Sequence, residues 1–163
     1  MLIWIESWFL GNPKAAADVV NTWLVEMPTG SFFSFLGAYV AKRGKNSALA
    51  VHLFRHSHAT VAHPLHSVGN ICVAEVGLEL DKVGRWREAA AAFIAFLHHH
   101  RGGAYRAWVH FRLACCLYGL GELKAASEAM QAAVKAARPH FSFDEFAAAA
   151  ATEWLERGGF SNL

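Results

Sequence analysis

Charge is the first thing this chain has little of. Of its 163 residues only 17% are Asp, Glu, Lys or Arg, against roughly a quarter in an ordinary soluble domain. Apolar residues make up 55%, which excludes intrinsic disorder, because disorder needs low hydrophobicity and high net charge. Cysteine is scarce: there are three, and Cys115 and Cys116 are neighbours. A disulfide-stapled scaffold is thereby excluded, and unpaired thiols fit a reducing compartment. The formal net charge of +2 is too small to imply nucleic-acid binding by itself.

Long apolar runs are missing as well. The longest stretches without Asp, Glu, Lys or Arg are 27–41 and 56–74. The first contains Pro28 and two glycines, and the second contains four histidines, Pro64 and Asn70. A spanning helix needs ~20 predominantly apolar residues, so no transmembrane segment is expected. The apolar start, with Trp4, Trp8 and Phe9, has no Lys or Arg before it and is interrupted by Glu6, unlike a signal peptide. A soluble, cytoplasmic protein is expected. No Gly-rich phosphate loop, nucleophile elbow or HExxH motif occurs, so neither catalysis nor a cofactor is expected.

What the sequence does contain is a repeat. Gly77-x-x-Leu80-x-x-x-Gly84-x-Trp86-x-x-Ala89-x-x-x-Phe93 recurs as Ala114-x-x-Leu117-x-x-x-Gly121-x-Leu123-x-x-Ala126-x-x-x-Met130. Gly84 and Gly121 are placed to end a first helix, where a left-handed residue is usually Gly. Ala89 and Ala126 suit the close crossing of two antiparallel helices, and Phe93 and Met130 fill the space beyond. A weaker copy reads Gly37-x-x-Val40-x-x-x-Gly44-x-x-x-x-Leu49-x-x-x-Leu53, with Leu49 where a small residue is expected. An earlier partial copy runs from Gly11 through Ala16 to Pro28, and Ala151-x-x-Trp154-x-x-x-Gly158 resembles the start of a further one.

This pattern resembles the tetratricopeptide repeat, a helix–turn–helix unit of ~34 residues. The resemblance implies an all-α fold: a right-handed solenoid of antiparallel helix pairs, in a single domain over 1–163. Its units would be about 1–29, 30–69, 70–106 and 107–140, with a capping helix at 141–158. The expected helices are 2–10, 13–26, 31–43, 46–62, 68–83, 86–100, 104–120, 123–137 and 142–157. Ser31 and Ser142 are placed to open two of them, and no stretch alternates with period two, so no sheet is expected.

The family also implies a function. Its first helices line a concave groove that binds partners, and its groove positions carry over to Ile71, Ala74, Leu78, Trp108, Phe111, Cys115 and Tyr118. The Lys, Arg and Asn clamp that grips a peptide carboxylate in some members is absent, apart from Lys42 and Lys82. An apolar peptide or partner helix is the expected ligand, with aromatic anchors, in a chaperone or assembly scaffold. Three core units with terminal helices are similar to the type III secretion translocator chaperones. The competing reading is that Trp108 and Phe111 merely cover neighbouring helices or the chain's own ends. Two other roles compete: a structural subunit packing through its apolar N-terminus, or a basic adaptor.

Two compositional clusters remain. No Asp or Glu lies between Glu26 and Glu75, whereas Lys42, Arg43, Lys45, Arg55 and five histidines do. Such a patch could meet an acidic protein, RNA or an anionic surface, although the composition falls short of a nucleic-acid footprint. His52, His56 and His63 share a helical face, but zinc usually adds Cys or acidic ligands, so no metal is expected. Cys72 and Cys115 lack a positioned base and read as packing residues.

Overall fold

The structure, a computed structural model, describes residues 31–60, 67–100 and 105–157. The described residues form seven α-helices and no strand. They are α1 (Ser31–Arg43), α2 (Ser47–Thr60), α3 (Ser67–Lys82), α4 (Trp86–His99), α5 (Arg106–Gly119), α6 (Leu123–Ala136) and α7 (Ser142–Glu156). All seven lie within two residues of the expected bounds. The expected helices 2–10 and 13–26, and the hinge positions Gly11 and Gly158, lie outside the described residues. The chain divides into two compact units, Met1–Val83 and Gly84–Leu163. The unit read from repeat spacing as 70–106 straddles that division.

The first unit packs its helices in sequence order, α1 on α2 and α2 on α3. Phe54, fully buried, meets Tyr39 edge-on at 5.3 Å and Phe35 at 6.3 Å. Edge-to-face contacts of this kind add about 0.5–1.5 kcal/mol per pair beyond the area they bury. Polar ties then fix the third helix. Glu75 on α3 accepts from Tyr39 Oη at 3.0 Å and from Lys42 Nζ. Glu79, only 1% exposed, accepts from Ser47 Oγ at 2.7 Å and from Lys82 Nζ. A carboxylate taken out of water is tolerated when its oxygens are matched by donors of this kind.

The α1–α2 hinge corrects the expected register. The left-handed residue there is Lys45 (φ 59°), not Gly44. The amide of Lys45 donates to the Lys42 carbonyl and that of Asn46 to the Ala41 carbonyl, the double closure that ends a helix on a left-handed residue. Asn46 Oδ1 then accepts from the Leu49 amide at 3.1 Å and caps α2. The equivalent left-handed residues further on are Gly84 (φ 75°) and Gly121 (φ 79°). Counted from Lys45, Gly84 and Gly121, one pattern fits all three copies. A small buried residue stands seven before (Ala38, Gly77, Ala114) and another stands five after (Ala50, Ala89, Ala126). A large buried residue stands nine after (Phe54, Phe93, Met130). Leu49 is therefore no departure from the pattern. It stands one place before the small residue, and Gly37, Gly44 and Leu53 lie one place off the true register.

In the second unit α4 packs on α5, α5 on α6, and α7 on both α5 and α6. The Trp86 ring lies over Gly119 so closely that a Cβ there would come within 2.8 Å of it. Arg106, at the first turn of α5, donates to the carbonyls of Leu97 and His100 and satisfies the end of α4. The core is lined by Ala89, Ala107, Ala114, Ala126, Ala133, Ala147 and Ala151, all 0% exposed. Small side chains at these crossings let helix axes approach closely, which accounts for much of the alanine in this half. Ser142 is the first residue of α7 but makes no side-chain cap. Instead Glu145 reaches back to accept from the His140 amide at 2.9 Å.

Candidate interaction surface

The four expected groove residues of α5 share one face at helical spacing. Trp108, Phe111, Cys115 and Tyr118 are all half-buried, whereas Ala107, Val109, Leu113, Ala114 and Cys116 are buried. The helix thus keeps an aromatic stripe at partial exposure while its other side fills the core. On α3, in the first unit, Ile71 is half-buried, but Ala74 and Leu78 are each only 8% exposed. There the expected positions serve mainly as core.

The start of α5 is held by α7. Tyr105, which precedes α5, is left-handed (φ 70°) and gives no side-chain cap. A cap arrives from elsewhere in the unit: Asp144 Oδ1, in the first turn of α7, accepts from the Trp108 amide at 3.4 Å. Asp144 is fully buried. Its charge sits at the first turns of two helices, both of which favour an anion. Its second oxygen, Oδ2, makes no hydrogen bond among the described residues. Around it the rings gather. Phe143 lies 5.6 Å from Tyr105 and 6.0 Å from Trp108 between centroids. The end of the α5 stripe is therefore covered in part by the chain's own last helix, in line with the competing reading of Trp108.

Outward from this contact the rings are wet. Tyr105 and Phe141 are each 44% exposed, Phe143 54% and Phe146 65%. Sequence reading missed Phe143 and Phe146, although their spacing of three on a helix that also buries Ala147 and Ala151 signals a second apolar face. A shallow cavity of about 430 Å³ lies between α6 and α7, lined by Gln131, Val134, Lys135, Thr152, Leu155 and Glu156.

The basic cluster is partly neutralised. Lys42 pairs with Glu75 and lies over the Tyr39 ring at 5.5 Å, so the fold returns an acid to the stretch that lacks one in sequence. Arg43, Lys45 and Arg55 are exposed. Of the histidines, His56 Nδ1 is 2.9 Å from the buried Ser34 Oγ, and His58 Nδ1 donates to the Gly69 carbonyl at 3.0 Å. His63 lies outside the described residues. No group of three or more His, Cys, Asp or Glu among the described residues is placed to hold a metal ion.

Titration follows burial. His110 is held down to about 4, first by burial and then by the Arg106 charge. His100 is lowered by burial, then by Arg106 and Arg138. Burial pushes the Cys72 thiol up, so it stays protonated, a poor nucleophile. None of the three cysteines forms a disulfide. No helix among the described residues is long and apolar enough to cross a membrane.

No family model matches the sequence, and no curated protein is significantly similar to it.

Proposed function

We propose that the chain is a non-catalytic protein-interaction module, a tetratricopeptide-type solenoid that holds an apolar peptide or a partner helix in its groove. It would act as a chaperone or assembly scaffold in the cytoplasm. The observation that supports this most is the stripe Trp108, Phe111, Cys115 and Tyr118, kept half-exposed on one face of α5. Aromatic side chains at partial exposure are the residues from which interfaces draw most of their binding energy. A basic-adaptor role is less well supported, because Lys42 is taken up by Glu75.

The test is a peptide-array screen of apolar segments against the parent and the variants Phe111→Ala and Tyr118→Ala. Each substitution is expected to weaken binding at least tenfold, about 1.4 kcal/mol, with little change in helical content. Variants that bind as the parent does would remove the reading.

A further inference from the structure

A second surface, on α7, carries a partner chemistry of its own. Phe143 and Phe146 are 54% and 65% exposed, and Ala150 continues their face at helical spacing. Isolated exposed apolar residues need no explanation, but two adjoining phenylalanines with Tyr105 and Phe141 beside them make a patch. Beside that patch α7 is acidic. Glu145, Glu153 and Glu156 are all exposed, and on a helical wheel they lie on the flank next to Phe146. Arg157 pairs with Glu153, and Lys135 of α6 lines the same cavity as Glu156, so Glu145 is the acid nearest the rings with no basic side chain paired to it among the described residues. Asp144, next to Phe143 in the chain, is fully buried on the other side of the helix, with Oδ2 making no hydrogen bond among the described residues.

Charge selects among the occupants such a patch could take. Two copies meeting α7 to α7 would set these acids against each other. Among the described residues, Arg43, Lys45 and Arg55 of a second copy have no exposed ring beside them to meet Phe143 and Phe146. Val83 is the one exposed large apolar residue among the described residues of that unit. An anionic membrane would be repelled by the same acids. We infer that the α7 face of Phe143 and Phe146 docks an amphipathic helix of another protein, one whose apolar stripe is flanked by Lys or Arg. The helix lays its apolar side chains on the two rings, and its basic flank faces Glu145, Glu153 and Glu156. This surface meets the α5 stripe where Phe143 contacts Trp108, and the inference does not rest on the α5 reading.

The probe is a pair of labelled helical peptides of about 18 residues. Both carry leucine at one face, and the remaining positions are lysine in one and glutamate in the other. Binding is followed by fluorescence anisotropy. The lysine peptide is expected to bind in the micromolar range and the glutamate peptide not to bind. Phe146→Ser should weaken the lysine peptide at least about tenfold. The pair Glu145→Gln and Glu153→Gln should weaken it several-fold and flatten its salt dependence. Glutamine keeps the acceptor for the His140 amide, and Phe146 is mostly in water, so both variants should keep the parent's helical signal and melting temperature. Phe111→Ala removes whatever the α5 stripe contributes to both peptides and should leave the lysine peptide's advantage over the glutamate peptide unchanged.

Any of the following results would overturn the inference. The lysine peptide fails to bind, or both peptides bind alike. Phe146→Ser binds like the parent. The Phe111→Ala variant alone loses binding, which would move the peptide to α5 and leave the earlier reading standing. Finally, Phe146→Ser abolishes a concentration-dependent dimer or binding to anionic vesicles, which would assign the patch to a second copy or a membrane.

Discussion

Lys45 adopts a backbone conformation its side chain disfavours. A non-glycine residue in the left-handed region costs roughly 1–2 kcal/mol through the clash of Cβ with the following carbonyl. The strain is held by the helix end it closes: two amides reach back to α1, and Asn46 is thereby set to cap α2. Replacing Lys45 by glycine removes the clash and makes the unfolded chain more flexible, two effects of opposite sign. The clash is the larger, so Lys45→Gly should stabilise the protein by about 0.5–1 kcal/mol, read as a higher urea midpoint at unchanged slope. The same residue shows where sequence reading slips. Gly44 draws the hinge to itself because glycine is the usual left-handed residue. The signal that places the hinge one residue later is Asn46, an N-cap residue that fixes where α2 begins.

At the scale of helices, the single-residue shift decides which alanine matters. Ala50 is 0% exposed and stands at the small position shared with Ala89 and Ala126, whereas Leu49 beside it is half-buried. Ala50→Leu should therefore cost about 1–3 kcal/mol by overpacking, and Leu49→Ala clearly less than a buried leucine would. Thermal melts of the two variants check this, and equal losses would mean the register is not the one described. The helices themselves were legible because their boundaries are local: Gly121 is left-handed, Pro139 follows α6, and the apolar spacing is that of a helix. The α5 positions Trp108, Phe111, Cys115 and Tyr118 came from the repeat resemblance, and the structure leaves all four half-buried. Pairings across the fold were not. Lys42 and Glu75 are 33 positions apart, and Trp108 and Asp144 are 36 apart. No local pattern links such residues, so neither the loss of Lys42 from the basic cluster nor the seat of Phe143 on Trp108 could be read in advance.

For the molecule as a whole, His110 sets a direction of pH dependence. Unfolded, it titrates near 6.5; folded, burial and Arg106 hold it down to about 4. Between those values the unfolded chain binds a proton that the folded chain refuses, so stability should fall as pH drops from about 6.5 towards 4. Above 6.5 this histidine contributes no slope. His110→Gln should flatten that part of the profile of urea midpoint against pH. A parallel decline in parent and variant would place the effect in other groups, among them His100, which is lowered in the same sense.

Asp144 ties the start of α5 to a helix well further along the chain. Most of its packing joins helices that follow one another in the chain, and such contacts close short loops at little entropic cost. The hydrogen bond from Trp108 to Asp144 closes a much longer one. The α5–α6 hairpin can therefore form on neighbouring contacts alone, with the first turn of α5 still open. That turn keeps the Arg106 tie to α4 but gains its Trp108 amide partner only with α7 in place, so loosening α7 should expose the Trp108 amide to hydrogen exchange.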